Sequence, residues 1–234
     1  MPARIAPGSV KICGNRDPEF CCLAANAGAD LLGFIFVPGT NRYVELEVAA
    51  ECVATVKHSG ARAPQAVGVF VDEQPEHINE IARKTNLDVI QLHGKELATE
   101  LERIELSVIK VIRPTANETL DDIKRALDTY LTSSNPPVAF LVDGYHAKLH
   151  GGTGVKADWD LAADLAANFP VLLAGGLNAE NVVDAIGKVK PLGVDVSSGV
   201  ETDGSRDPEK ITSFIRAAKL GFSKLTPRGL AVLA

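Results

Sequence analysis

The chain has 234 residues, 46% of them hydrophobic and 23% charged, the composition of a soluble globular protein long enough for one large core. Its 24 Lys+Arg against 30 Asp+Glu leave a net charge of −6 with no basic run, which excludes the electrostatic footprint of nucleic-acid or anionic-membrane binding. The longest apolar stretches, residues 31–37, 137–142 and 170–174, fall far short of the roughly 18 residues of a membrane span.

From the N-terminus, residues 1–8 carry one Arg and no apolar run, unlike a secretory signal, so a cytoplasmic location is the default. Short β-branched apolar runs then alternate with segments of helical periodicity. The strands are expected at 10–13, 31–37, 65–71, 89–92, 107–112, 138–143, 171–174 and 193–197, several apolar at nearly every position, as strands buried on both faces are. Asp17-Pro18-Glu19 opens the first helix with an N-cap, Pro at the first position and an acidic first turn, and Gly28 suits its left-handed stop. Further helices are expected at 45–57, 75–85, 95–104, 120–131, 158–168, 181–186 and 208–219, the last opening with Asp207-Pro208-Glu209.

Eight strand-then-helix units in one chain predict the α/β class and a closed (β/α)8 TIM barrel, as a single domain with 220–234 as a C-terminal extension. An open dinucleotide-binding sheet is the weaker alternative, because no G-x-G-x-x-G follows the first strand. The four cysteines, Cys13, Cys21, Cys22 and Cys52, form no C-x-x-C pair and have no His at zinc-finger spacing. Neither a disulfide framework nor a structural metal is expected.

In a barrel the active site lies at the C-terminal ends of the strands. Ala174-Gly175-Gly176-Leu177 after the seventh strand and Ser197-Ser198-Gly199-Val200 after the eighth place backbone N–H groups at adjacent loops, where they either cradle one phosphate or simply make tight turns. Cys13 ends the first strand, as a reactive thiol or a small buried hydrophobe. Asp143 closes an apolar strand, in a setting that favours the neutral acid, or else it caps the following loop. Arg42, after the second strand, offers a carboxylate-binding fork or a surface charge. His93, after the fourth, is a rim residue for substrate or for loop hydrogen bonds.

Val10-Lys11-Ile12-Cys13-Gly14, Gly28-Ala29-Asp30-Leu31-Leu32-Gly33, Gln91-Leu92-His93-Gly94, Gly151-Gly152-Thr153-Gly154 with Asp158-Trp159, Ala174-Gly175-Gly176-Leu177 and Gly193-Val194-Asp195-Val196-Ser197-Ser198-Gly199-Val200-Glu201 together resemble the phosphoribosylanthranilate isomerases, from about Val10 to Lys219. The loop Val37-Pro38-Gly39-Thr40-Asn41-Arg42 resembles the family's fungal branch. The resemblance implies the third step of tryptophan biosynthesis, the Amadori rearrangement of N-(5′-phosphoribosyl)anthranilate to a 1-deoxyribulose phosphate, with no metal and no other cofactor. It implies Cys13 as general base, Asp143 as general acid and Arg42 on the anthranilate carboxylate. Gly175, Gly176, Ser198 and Gly199 would hold the phosphate, and His93, Gly152 and Asp195 would line the site.

The chain departs from the family pattern at Gly154-Val155-Lys156-Ala157 and at Gly204-Ser205-Arg206-Asp207, which bears on loop packing. A metal-dependent epimerase would need more strand-end histidines than His93, and an indole-forming synthase would need a lysine at a strand end, whereas Lys11 and Lys110 lie inside strands. A non-catalytic binder would need neither Cys13 nor Asp143. The expected partner is a small phosphorylated molecule. In the fungal branch this activity is fused into multifunctional tryptophan enzymes; with no distinctive apolar surface stripe, monomer is the default.

Overall fold

The computed structural model describes residues 3–58, 63–115, 118–143 and 159–225. Eight parallel strands close into a barrel: β1 (Ser9–Cys13), β2 (Leu31–Ile35), β3 (Gln65–Phe70), β4 (Val89–Leu92), β5 (Ser107–Ile112), β6 (Ala139–Asp143), β7 (Val171–Ala174) and β8 (Gly193–Val196). Closure comes from β1 pairing with β8, Ser9 opposite Gly193 and Lys11 opposite Asp195. The helices are α1 (Pro18–Ala27), α2 (Leu46–His58), α3 (Pro75–Thr85), α4 (Ala98–Leu101), α5 (Leu120–Leu131), α6 (Trp159–Ala166), α7 (Val182–Val189) and α8 (Pro208–Ser223). A two-stranded hairpin, β9 (Glu201–Thr202) with β10 (Ser205–Arg206), stands between β8 and α8. No helix among the described residues is long and apolar enough to cross a membrane.

Strand alternation divides the core in two. Leu31, Val67, Val89, Ile109, Val111, Ala139, Leu141, Leu172 and Ala174 fill the barrel as one cluster. Their neighbours in sequence, among them Ile12, Phe34, Phe70, Ile90, Phe140, Leu173 and Val194, pack outward against the helices. The capping chemistry is as expected: Asp17 accepts from Glu19 N at 2.7 Å, Asp207 from Glu209 N at 2.9 Å, and Gly28 stops α1 at φ 100°.

Three expectations are corrected. The helix expected at 95–104 is only the single turn of α4, because Glu96 is used otherwise. Its carboxylate turns back to accept from Gly94 N at 2.9 Å and Asp72 N at 3.0 Å, and it pairs with Lys110 at 2.8 Å, both side chains buried between barrel and helices. α7 runs through Gly187, which nothing crowds, and ends at Lys190 in the left-handed region (φ 51°), anchored by buried Val189. α8 continues to Ser223, with Gly221 and Phe222 buried, so 220–223 are the last turn of a barrel helix and 226–234 lie outside the described residues. The hairpin of β9 and β10 is an addition to the expected elements.

The Glu96–Lys110 pair ties the ends of β3, β4 and β5 together beneath the mouth. Removing one partner of a buried pair leaves the other charge unsolvated, so Glu96→Ala should lower the unfolding free energy in urea by about 3 kcal/mol or more. Glu96→Gln with Lys110→Met, which leaves no lone charge, should recover most of that loss; equal losses in the two variants would contradict this role.

Candidate active site

At the C-terminal end of the barrel, β1 closes on Cys13, and two residues below it on the same inward side stands Lys11. Lys11 has no exposed surface, and its Nζ donates to Asp195 Oδ1 at 3.0 Å, across the register that pairs the two residues directly. Gly33 of β2 faces both: a Cβ there would lie 2.6 Å from Cys13 Sγ and 3.0 Å from Lys11 Nζ. Glycine therefore opens the space in which thiol and ammonium stand side by side. Burial pushes the Cys13 thiol above its ordinary value, with Lys11 and Arg206 pulling it down and Asp195 pushing it further up. Burial alone would lower the Lys11 ammonium, but Asp195 and Cys13 outweigh it and hold Lys11 above its ordinary range.

The backbone of Cys13 is held as firmly as its side chain. Its carbonyl accepts from Ser197 Oγ at 3.1 Å and from Arg206 Nη2. Gly14 (φ 86°) lets the two guanidiniums approach, since a Cβ there would meet Arg206 Nη2 at 2.7 Å and Arg42 Cδ at 2.9 Å.

Arg42 stands in the loop after β2, where Arg16 Nη1 donates to the Asn41 carbonyl at 2.8 Å. Its fork does not face solvent empty: Nε and Nη2 donate to the two oxygens of Glu201 at 2.8 and 2.6 Å. Those hydrogen bonds hold the Glu201 carboxyl below the usual carboxylate range against its partial burial. The Nη1 side of Arg42 lies outside this bidentate pair, so a second carboxylate would meet that edge or replace Glu201.

His93 follows β4, its Nδ1 3.4 Å from Gln91 Nε2, while its buried Nε2 has no hydrogen-bond partner among the described residues. Burial, with the charges of Arg113, Lys11 and Lys110, drives its pKa down to about 3. It is therefore a neutral imidazole at neutral pH, a hydrogen-bonding group rather than a cation.

The loops after β7 and β8 interlock. Gly175 and Gly176 take φ of 90° and 62°, and a Cβ on Gly199 would lie 1.9 Å from the Leu177 carbonyl oxygen, so only glycine allows the second loop to lie against the first. Asn181 fixes the first loop, donating to Gly176 O and accepting from Asn178 N, both at 2.9 Å. Ser198 and Gly199 form a 3-10 turn at the end of β8. Asp143, the last residue of β6, is half-buried at the rim and shares the inward parity of Ala139 and Leu141. Around the closed sheet β6 lies three strands from β1, which sets Asp143 across the mouth from Cys13. Gly152, within 144–158, lies outside the described residues.

The sequence reading passed over three participants. Lys11 reads as an in-strand lysine, yet its period-two spacing from Cys13 was the available signal for a shared inward face. Glu201 and Arg206 are brought to the mouth by the β9–β10 hairpin, for which the Asp203-Gly204 dipeptide, with both residues at positive φ (50° and 78°), was the available signal. Among the described residues no group of three or more His, Cys, Asp or Glu is placed to hold a metal.

A closed barrel that gathers a buried thiol with its ammonium, a rim carboxyl and glycine-built loops at the catalytic end defines a (β/α)8-barrel enzyme. Residues 10–217 match the family model described as N-(5′-phosphoribosyl)anthranilate (PRA) isomerase. The chain is 42% identical over 214 residues to the N-(5′-phosphoribosyl)anthranilate isomerase of Roseiflexus sp. (90% of this chain, 97% of the relative), and 40% identical over 211 residues to that of Geobacter sulfurreducens (90% and 98%). Among solved structures it superposes on the phosphoribosylanthranilate isomerase of Thermotoga maritima with a TM-score of 0.76 at 36% identity, covering 90% of this chain and 98% of the other. A further structure of phosphoribosylanthranilate isomerase holds reduced 1-(o-carboxyphenylamino)-1-deoxyribulose 5-phosphate and matches with a TM-score of 0.74 at 35% identity, over 90% of this chain and 98% of the other. The chain belongs to the phosphoribosylanthranilate isomerase family of tryptophan biosynthesis and is an isomerase. The likeness of residues 37–42 to the fungal branch finds no support in these bacterial relatives; six loop residues carry far less information than the match over the whole barrel.

Proposed function

We propose that the mouth converts N-(5′-phosphoribosyl)anthranilate to 1-(2-carboxyphenylamino)-1-deoxyribulose 5-phosphate with Cys13 as general base and Asp143 as general acid. The observation that carries this reading is the placement of those two groups on opposite sides of one mouth, with the interlocked loops of β7 and β8 beside them.

Backbone groups of Gly175, Gly176, Ser198 and Gly199 hold the phosphate. Arg42 takes the anthranilate carboxylate. Anchoring both ends fixes a flexible substrate with its reacting carbons between acid and base, an orientation effect. Asp143 gives its proton to the ring oxygen as the C1–O bond breaks and the anilino nitrogen lone pair forms the C1=N iminium. The iminium acidifies the C2 proton, Cys13 thiolate removes it, and the enol-amine results. Loss of the O2 proton and gain of one at C1 complete the ketone, so atoms balance as an isomerisation requires. His93, neutral and with its Nε2 unpartnered among the described residues, supplies a hydrogen bond to substrate. Asp195 lies beneath Cys13 with Oδ1 committed to Lys11, lining the site from below. Gly152, outside the described residues, is assigned to the substrate on the family resemblance alone. No cofactor takes part, and the reaction belongs to the cytoplasm.

Arg42→Ala tests the carboxylate anchor. It should raise KM for the phosphoribosylanthranilate about tenfold or more, the scale of a lost charge-assisted fork, while the affinity for inorganic phosphate stays within about twofold. An equal loss of both would assign Arg42 to the phosphate or to the fold.

A further inference from the structure

Among the described residues the interior of this barrel is filled mainly by apolar side chains, Val67, Ile109, Leu141 and Leu172 among them, with Ser9, Gln91 and Ser107 as buried neutral polar groups and Lys11 and Asp195 as the charged ones. An ammonium with no exposed surface is costly there unless it is paired, and an apolar residue would pack the same space. Lys11 therefore has a reason for its place beyond filling the layer. The groups around Cys13 supply that reason. From its own strand comes Lys11, on the same inward side, with its Nζ and Cys13 Sγ 3.0 and 2.6 Å from the one point where a Cβ on Gly33 would lie. β8 brings Asp195, bound to Lys11 at 3.0 Å, and β2 brings Gly33, which carries no charge and leaves the contact room. The β2 loop brings Arg42, paired with Glu201, and the hairpin brings Arg206, whose guanidinium is spent on the carbonyls of Cys13 and Ser197 and on the flank of Glu201. Arg206 acts on the sulfur through its charge while its donors serve these oxygens, whereas Lys11 stands beside the sulfur in the space that Gly33 leaves open.

We propose that Lys11 is a positioning residue for the base: its ammonium, anchored on Asp195, hydrogen-bonds Cys13 Sγ and stabilises the thiolate form that takes the substrate proton. The proposal rests on reading Cys13 as the base. Burial opposes the thiolate, and an adjacent cation is what offsets it. Asp195 keeps the buried lysine charged and turned toward β1, so the three residues act as one unit in which Asp195 touches no reacting atom.

The thiolate is the species that iodoacetamide alkylates, so the rate of Cys13 alkylation against pH, read at this residue by peptide mass spectrometry, reports the contact without reference to turnover. Lys11→Met should move the alkylation limb upward by about one pH unit or more, a fall of about tenfold or more in the rate at neutral pH. Lys11→Met with Asp195→Asn should fall between the wild type and the single variant, because it removes the opposing carboxylate as well. This double variant buries no lone charge and carries the test alone if the single variant does not fold. The acid limb of kcat/KM should move in the same direction and order. Limbs that coincide with the wild type, or that move downward, would overturn the proposal. Cys13→Ser separates this from the reading beneath it: near-normal turnover there removes the base assignment, whereas an unmoved alkylation limb removes only the role of Lys11.

Discussion

Asp143→Asn should lower kcat by about a hundredfold or more, the usual scale for removing a general acid, and leave the affinity for inorganic phosphate within about twofold. Asparagine keeps the size and polarity of the side chain at the end of β6, so the pairing of Asp143 with Ala174 of β7, and with it the start of the glycine loop after β7, stays in place. What is lost is a proton for the ring oxygen. Without it the C1–O bond must break to an unprotonated alkoxide, and the iminium that activates C2 does not form. The discriminating measurement is steady-state kcat alongside calorimetric phosphate binding. A kcat within a few-fold of the wild type would take the acid role from Asp143, and a parallel loss of phosphate affinity would mean that the substitution had disturbed β7 instead.

Cys13→Ser should be comparably severe, by about a hundredfold or more in kcat. A serine hydroxyl is far too weak an acid to become the oxyanion that would replace a thiolate. The site also offers no base to take the hydroxyl proton, since Lys11, held as an ammonium by Asp195, can only donate. Because burial lifts the Cys13 thiol above its ordinary value, the base is protonated at low pH, and the wild-type kcat/KM should rise as pH rises through the thiol's range. The residual activity of Cys13→Ser should lack that limb. A serine variant that keeps both the rate and the limb would assign the base elsewhere.

Much of the barrel was legible because its signals are local. The Asp-Pro-Glu openings of α1 and α8, the left-handed Gly28 and the doubly buried apolar strands each state their geometry within a few residues. Where the reading failed, long-range contacts decided. Glu96 sits in a helix-like segment, but a buried lysine from β5 and two loop amides claim its carboxylate, and α4 shrinks to one turn. α8 outruns its expected end because Phe222 has the N-terminal rim to cover, lying 3.5 Å from where a Cβ on Gly8 would be. The same division holds at the mouth. Cys13, Asp143 and the two glycine loops announce themselves by closing strands. Lys11 does not, since an in-strand lysine shows its importance only once barrel closure sets it opposite Asp195. Arg42 was legible as a carboxylate fork, but the carboxylate that occupies it, Glu201, lies 159 residues away.

The most direct test of the account is the loss of anthranilate fluorescence when phosphoribosylanthranilate is generated in situ, followed in EDTA for the wild type, Asp143→Asn and Cys13→Ser in parallel. The predicted result is rapid, chelator-insensitive turnover in the wild type and a loss of about a hundredfold or more in each variant. Turnover that EDTA abolishes, or that either variant retains, would contradict acid–base isomerisation by Asp143 and Cys13.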